Sequence, residues 1–259
     1  MIKASVYIIC QNEEKHIERV LESVKDFDEI IIVDSGSTDS TLEIVSEYTD
    51  KIYHQDWLGY AGQKEYAKNL CSNEWVLNLD ADEELTQELK DEIVKTIQTN
   101  DCDGLDIKIS GKYLDSFGHS WCKFNRRIRF LKKSHGHYPQ KLVHESIVIN
   151  GKIKKAKGFI FDYGTQDLET QLHKINLYSS LRAKEKFEKN KKPSVIKLLF
   201  VFLIAFLKTF VVKRSFLNGL NGYIGAINVG YYAFLKEAKL YEIWKENDKF
   251  INHRSDEDF

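Results

Sequence analysis

Four short apolar runs organise the first hundred residues. They cover residues 5–10, 29–34, 51–54 and 74–80. Apolar runs of this length, bounded by polar turns, read as strands of a parallel sheet buried on both faces. Helical spacing fills the gaps. Ile17, Val20, Leu21 and Val24 follow i, i+3, i+4, i+7, one face of a helix. Ser40-Thr41-Leu42-Glu43 has capping-box spacing and predicts a helix start. Residues 61–71 are expected to be helical. Thr86 is placed to cap a further helix with Leu89, Ile93 and Ile97 on one face. Alternating strand and helix predicts an α/β fold, with a parallel sheet and right-handed crossovers.

The pattern changes after Asn100. Leu105, Ile107 and Ile109 alternate with polar residues, as do Ile128 and Phe130 with Arg127 and Arg129. With residues 143–149 and 158–161 these predict mixed sheet added to the first half, and 111–121 a loop. Helical spacing returns at 167–191, with Leu168, Leu172 and Ile175 on one face; Pro193 then suits a first helical position. The strongest apolar stretch is 195–212, interrupted by Lys197 and Lys208. Its clean part, 198–207, falls short of the roughly 20 apolar residues that cross a bilayer. It suits a helix in the membrane interface, or one packed on the catalytic domain or a second subunit, so a homo-oligomer stays open. Gly219, Gly222, Gly225 and Gly230, with Tyr223, Tyr231 and Tyr232, suit close helix packing near a membrane. The expected domains are 1–165 (an alternating strand–helix half 1–100 and a mixed-sheet part 101–165) and a helical region, 166–259.

Composition narrows the function classes. An apolar share of 42% supports a packed core, and a net charge of -1 gives no global attraction for nucleic acid. Cys10, Cys71, Cys102 and Cys122 form no C-x-x-C, which points away from zinc and disulfides and toward a reducing compartment. The first residues enter a strand without the apolar stretch of a secretory signal, so cytoplasmic residence is expected.

Chemistry concentrates at strand ends. Asp80-Ala81-Asp82 closes the run Trp75-Val76-Leu77-Asn78-Leu79. Ligands of open α/β sheets bind beyond the carboxyl ends of the strands. Mg²⁺ or Mn²⁺ held by such carboxylates would gather a diphosphate there. Asp34-Ser35-Gly36-Ser37-Thr38-Asp39 follows the second strand, and Asp34 is placed to accept a hydrogen bond from a ligand N–H such as uracil N3–H. Neither G-x-G-x-x-G nor the phosphate-binding P-loop motif occurs.

Together, Ser5 to Glu14, IIIVDSGSTDST at 30–41, DWLGYAGQK at 56–64 and WVLNLDADEE at 75–84 resemble the family 2 glycosyltransferases, nearest the lipopolysaccharide-core subgroup. NRRIRFL at 125–131, Val143-His144-Glu145 and FLKEAKLYE at 234–242 extend the likeness. The resemblance implies a GT-A fold, a Rossmann-like nucleotide half with mixed sheet; the apolar pattern adds a C-terminal helical region, membrane-interfacial or packed on protein. The resemblance also implies a UDP-sugar donor, a divalent metal and inversion at the anomeric carbon. By matching position, Glu13 and Asp34 meet the uridine, Lys64 lies near the base, Asp80 faces ribose or metal, and Asp82 holds the metal. Glu65 departs from the Asn often found after that basic residue. Glu145 is the expected general base, with Asp115 as alternative; His144 is a third metal ligand or orients Glu145. Arg127 and Arg129 offset the leaving diphosphate. The acceptor is a lipopolysaccharide-core or other lipid-linked glycan, met by a protein peripheral on the inner face of the cytoplasmic membrane. Two other readings compete: a nucleotidyltransferase that makes the sugar nucleotide, and an inactive scaffold that binds nucleotide or membrane. Gln11-Asn12-Glu13-Glu14 stands where the former carries a Gly-rich, Arg-containing loop.

Overall fold

The computed structural model describes residues 1–113, 116–139, 147–164 and 167–257. The chain divides into two units, Met1–Lys112 with Phe124–Thr165, and Tyr113–Lys123 with Gln166–Phe259.

The first unit is built on β1 (Ile2–Cys10), β2 (Phe27–Asp34), β3 (Ile52–His54), β4 (Trp75–Asp80), β5 (Glu83–Leu85) and β6 (Gly104–Tyr113). The short β7 (Ser116–Phe117) lies in the second unit. β8 (Asn125–Lys132), β9 (Gly136–His137), β10 (Val148–Ile149) and β11 (Ile153–Asp162) complete the set. One sheet runs β3-β2-β1-β4-β8-β6-β11-β5. The strands from β3 to β4 are parallel. β8 is antiparallel to β4 and β6, β11 is parallel to β6, and β5 is antiparallel to β11. This is the mixed α/β architecture that the alternating pattern predicts.

Period-2 alternation in β1 explains the two cores. Val6 and Ile8 face α1 (Ile17–Val24) and α4 (Gln87–Thr99), where Leu21, Leu89 and Ile93 are buried. Tyr7 and Ile9 join the opposite layer, with Ala61 and Ala67 of α3 (Gly59–Leu70). Thr86 caps α4 as expected, accepting from Leu89 N at 3.3 Å. The capping box at Ser40 does not form. α2 (Thr41–Ser46) has no side-chain cap from Ser40; Asp39 Oδ1 accepts the Thr41 N–H instead, at 3.1 Å.

The second unit carries α5 (Leu168–Glu188), α6 (Val195–Leu207) and α7 (Gly219–Glu257). A π turn, Lys208–Val212, continues α6, so the apolar helix is not broken at Lys208. α5 and α6 both pack on α7. The expected apolar face of α5 is not its buried one: Leu168 and Leu172 are exposed, while Ser179 and Ala183 are buried. Small residues on α7, Ala226 and Ala233, are buried too, so close approach replaces a leucine seam. Residues 116–123 belong with these helices because backbone groups tie them there. Lys123 N donates to Lys213 O at 3.0 Å, and His119 N to Asn218 Oδ1 at 2.7 Å.

Candidate active site

Sheet order fixes where a site can form. β1 lies between β2 and β4, and chain order reverses at the β1/β4 boundary, the position at which open α/β sheets leave a crevice. The register pairs Cys10 with Asp34 and Ile9 with Asp80. The two aspartates therefore end strands on either side of β1, at the same edge.

Asp34 is buried and holds its own turn. Its Oδ2 accepts from Gly36 N at 2.8 Å and Ser37 N at 2.9 Å, and its Oδ1 accepts from Ser37 Oγ and, at 3.7 Å, from Cys10 Sγ. Gly36 takes φ +97°, which a residue with a side chain rarely adopts. The neighbouring loop is stitched to this turn. Asn12, itself at φ +57°, donates from its backbone to Ser37 Oγ at 2.9 Å and accepts from Thr38 N at 2.8 Å. Glu13 N donates to Thr41 Oγ1 at 2.8 Å, and Ser40 N to Glu14 Oε2 at 3.1 Å. The motifs QNEE and DSGSTDST thus form one polar rim. Gln63, fully buried, ties DWLGYAGQK to the same rim, donating to Ser35 Oγ at 2.9 Å and Gln55 O at 3.0 Å.

Asp80 is clamped between two cations. Lys64 Nζ lies 2.7 Å from its Oδ1, and Arg129 Nη2 lies 2.7 Å from its Oδ2. Burial alone would raise its pKa; the Arg129 and Lys64 charges outweigh that and hold the carboxyl well below the usual range. Arg129 also reaches Glu83 at 2.6 Å and Asn78 Oδ1 at 2.6 Å, and Asp80 N donates to Glu83 Oε2 at 2.9 Å. Burial pushes the Glu83 carboxyl upward; Asp80 adds to that and Arg129 opposes it. Tyr7 and Tyr138, joined through their hydroxyls at 2.9 Å, close the network below Asn78. Arg129 is thus buried and spent on carboxylates of the protein, whereas Arg127 on the same strand is exposed.

Asp82 has the opposite surroundings. Burial raises its carboxyl to about 7, and the charges of Asp162, Asp80 and Glu13 add to the rise. Asp162 ends β11, and Tyr163 N donates to Asp82 O at 2.8 Å, bringing the two segments together. Gly164 keeps them close: a Cβ there would stand 2.2 Å from Asp82 Oδ2 and 3.1 Å from Asp162 Oδ1. Among the described residues no three His, Cys, Asp or Glu side chains form a metal cage. One or two carboxylates beside substrate phosphates is nonetheless the donor set that Mg²⁺ uses, and Asp82 with Asp162 supplies it.

The structure therefore gathers Glu13, Asp34, Lys64, Asp80, Asp82 and Arg129 into one unit. Asp115, His144 and Glu145 lie outside the described residues. Sequence reasoning missed Asn12, Gln63, Asn78, Glu83, Tyr138, Asp162 and Gly164. Asn78 did carry a signal, as a lone amide inside an apolar strand. Asp162 carried none, because its neighbour Asp82 is 80 positions away (162 − 82).

The family model for glycosyl transferase family 2 matches residues 5–161, more than half of the chain. The chain belongs to that family. An uncharacterised glycosyltransferase of Rickettsia typhi is 36% identical over 99% of this chain and 94% of its own. The lipopolysaccharide core biosynthesis glycosyltransferase LpsC of Rhizobium meliloti is 34% identical over 92% of each chain. A solved structure of S. aureus TarS (residues 1–349, with UDP-GlcNAc) has TM-score 0.49 and 18% identity, over 95% of this chain and 91% of that one. The glycosyltransferase has the GT-A arrangement expected of the family: a parallel half, a mixed extension and a C-terminal helical region.

Proposed function

We propose that the glycosyltransferase moves a hexose from a UDP-sugar, with inversion, to a lipid-linked or lipopolysaccharide-core glycan. The observation that carries this reading is Asp82, half-buried among carboxylates and brought beside Asp162 by the Tyr163 N–H bond to Asp82 O, at the edge where β1 and β4 part. Like charges held close together are stabilised by a cation. Asp82 and Asp162 are the residues to hold Mg²⁺ or Mn²⁺. When bound, the cation neutralises the leaving diphosphate. Asp80, with both oxygens on Lys64 and Arg129, is left to face the ribose from a rigid seat. Asp34, Asn12 and Glu13 form the rim that receives the uracil, and exposed Arg127 meets diphosphate charge.

Glu145 takes the proton from the acceptor hydroxyl. The oxygen then attacks the anomeric carbon from the side opposite UDP, so the C–O bond to UDP breaks as the new one forms and the configuration inverts. The likeness to LpsC supports a lipopolysaccharide-core acceptor, which the enzyme would meet at the inner face of the cytoplasmic membrane. The decisive experiment is incubation with a panel of UDP-sugars, Mn²⁺ and lipopolysaccharide-core acceptors. Donor consumption with acceptor elongation, and an inverted anomeric signal by NMR, is expected. UTP release on adding diphosphate would instead identify a nucleotidyltransferase, and silence toward every UDP compound would remove the donor assignment. Glu145→Gln is expected to keep UDP binding and lower turnover by about 10²–10⁴.

A further inference from the structure

The second unit leaves a long run of apolar side chains exposed along α6. The helix Val195–Val212 has mean hydropathy 2.5, and none of its residues is fully buried. One face does meet α7. Phe202 lies over Gly230, where a Cβ would stand 3.1 Å from the ring, and Phe206 and Phe210 set their rings edge-on to Tyr223. The other face carries Ile196, Leu199, Leu203, Ile204, Leu207 and Val211, spaced i, i+3, i+7, i+8, i+11, i+15 and all exposed; Ile196 is 74% and Leu199 69% exposed. Lys197, which interrupts the stretch in sequence, turns to Glu237 of α7 at 3.1 Å. From Val195 to Leu207 the one charge is thus Lys197, half exposed at the flank of the outer face and paired with Glu237.

We infer that this face lies in the acyl layer of an anionic membrane leaflet, with α6 parallel to the membrane plane. Charge selects the partner. Every charged side chain between Glu188 and Glu237 is a lysine or arginine. Lys191 and Lys192 stand before α6, and Lys208, Lys213 and Arg214 follow it. Cations at both ends suit anionic headgroups and repel a second copy of α6 in either orientation. Packing selects the orientation. α5 lies along the same stretch of α7 that carries α6, through Asn228–Gln171, Glu237–Lys186 and Trp244–Phe187 contacts. α5 bears exposed Lys174 and Lys184. A crossing α6 would drag those ammonium groups into hydrocarbon, where charge is strongly disfavoured. Lying flat, α6 sinks one face and leaves α5 in water. The inference stands on the second unit alone and is independent of the sugar donor.

The test is flotation of the purified full chain with vesicles of phosphatidylcholine plus phosphatidylglycerol, against phosphatidylcholine alone. Binding is expected to be roughly tenfold stronger on the anionic vesicles. The Leu203→Glu, Ile204→Glu double variant is expected to lose roughly tenfold or more of it, with thermal unfolding unchanged. Tryptophans placed singly by Ile196→Trp, Leu203→Trp and Val211→Trp are expected to be quenched equally by shallow brominated lipid. A wild-type chain that fails to float, or a double variant that floats like wild type, would each overturn the inference. So would deeper quenching in the Leu203→Trp variant than in the other two, which is the mark of a crossing helix. A dimer, by light scattering, that persists with vesicles present would overturn it as well. Absent UDP binding with flotation intact would sink the donor assignment and leave this one standing.

Discussion

The two units treat apolar residues in opposite ways. In the sheet unit Ile8, Ile31 and Leu77 are wholly buried. In the helical unit Ile196, Leu199 and Ile204 face outward. Side chains of the same chemistry therefore have different surroundings: one set is packed in the core, the other is left on the surface. The same contrast recurs within the site. Asp80 has its charge matched by the protein, and Asp82 is left among carboxylates. Among the described residues, then, one aspartate has cations for neighbours and the other has carboxylates.

The sharpest way to break the second contrast is Asp82→Ala. It is expected to abolish cation-dependent UDP binding and to lower kcat/KM by at least about 10²-fold, with the fold intact by circular dichroism. Full activity would remove Asp82 from the site. Arg129→Met attacks the matched side. Removing one partner of a buried charge network costs about 3–5 kcal/mol, so urea unfolding should show a large loss of stability, since Asp80 and Glu83 lose their shared cation. A loss of activity with unchanged stability would mean that Arg129 acts on the ligand directly.

The contrast between units is tested by a pair of truncations. Ile31→Ala is expected to cost about 2–5 kcal/mol, from lost burial and the cavity left behind. Leu199→Ala is expected to stay within about 0.5 kcal/mol in aqueous buffer. Equal costs would mean that α6 is covered in solution.

A further effect is expected on acid stability. Glu29 is buried with Lys51 at 2.6 Å and accepts from Ser72 N at 2.7 Å and from Ser5 Oγ. Burial would raise its pKa, but these partners outweigh it and lower the carboxyl to about 2. A lowered folded-state pKa gives stability above the unfolded value, about 4.5, that is lost as pH falls toward 2. Glu29→Gln should flatten the stability profile across that window and leave it parallel to wild type above it. An unchanged acid profile would show that the pair contributes nothing.

Much of the sheet was legible because a strand buried on both faces must be apolar throughout. β1, β2 and β4 announce themselves, and Asp34 and Asp80 stand out as the first charges after them. The end of β6 and the buried face of α5 were less legible. β6 extends to Tyr113 through polar residues, and α5 packs through Ser179 and Ala183, which no hydrophobic period marks. Arg127 and Arg129 look equivalent in sequence, two positions apart on one strand. Only the fold separates them, by setting β8 against β4 so that Arg129 meets Asp80 and Glu83 while Arg127 stays exposed.

The order of residues determined that this would be an α/β protein with carboxylates at strand ends, because local periodicity and turn chemistry act over a few positions. Which carboxylates are neutralised was decided by tertiary structure. Arg129, Lys64 and Asp162 reach the site from segments far apart in the chain, and charge matching depends on distance in space. The same holds for α6: its composition announced an apolar helix, but only packing on α7 decided which face was covered and which was left open.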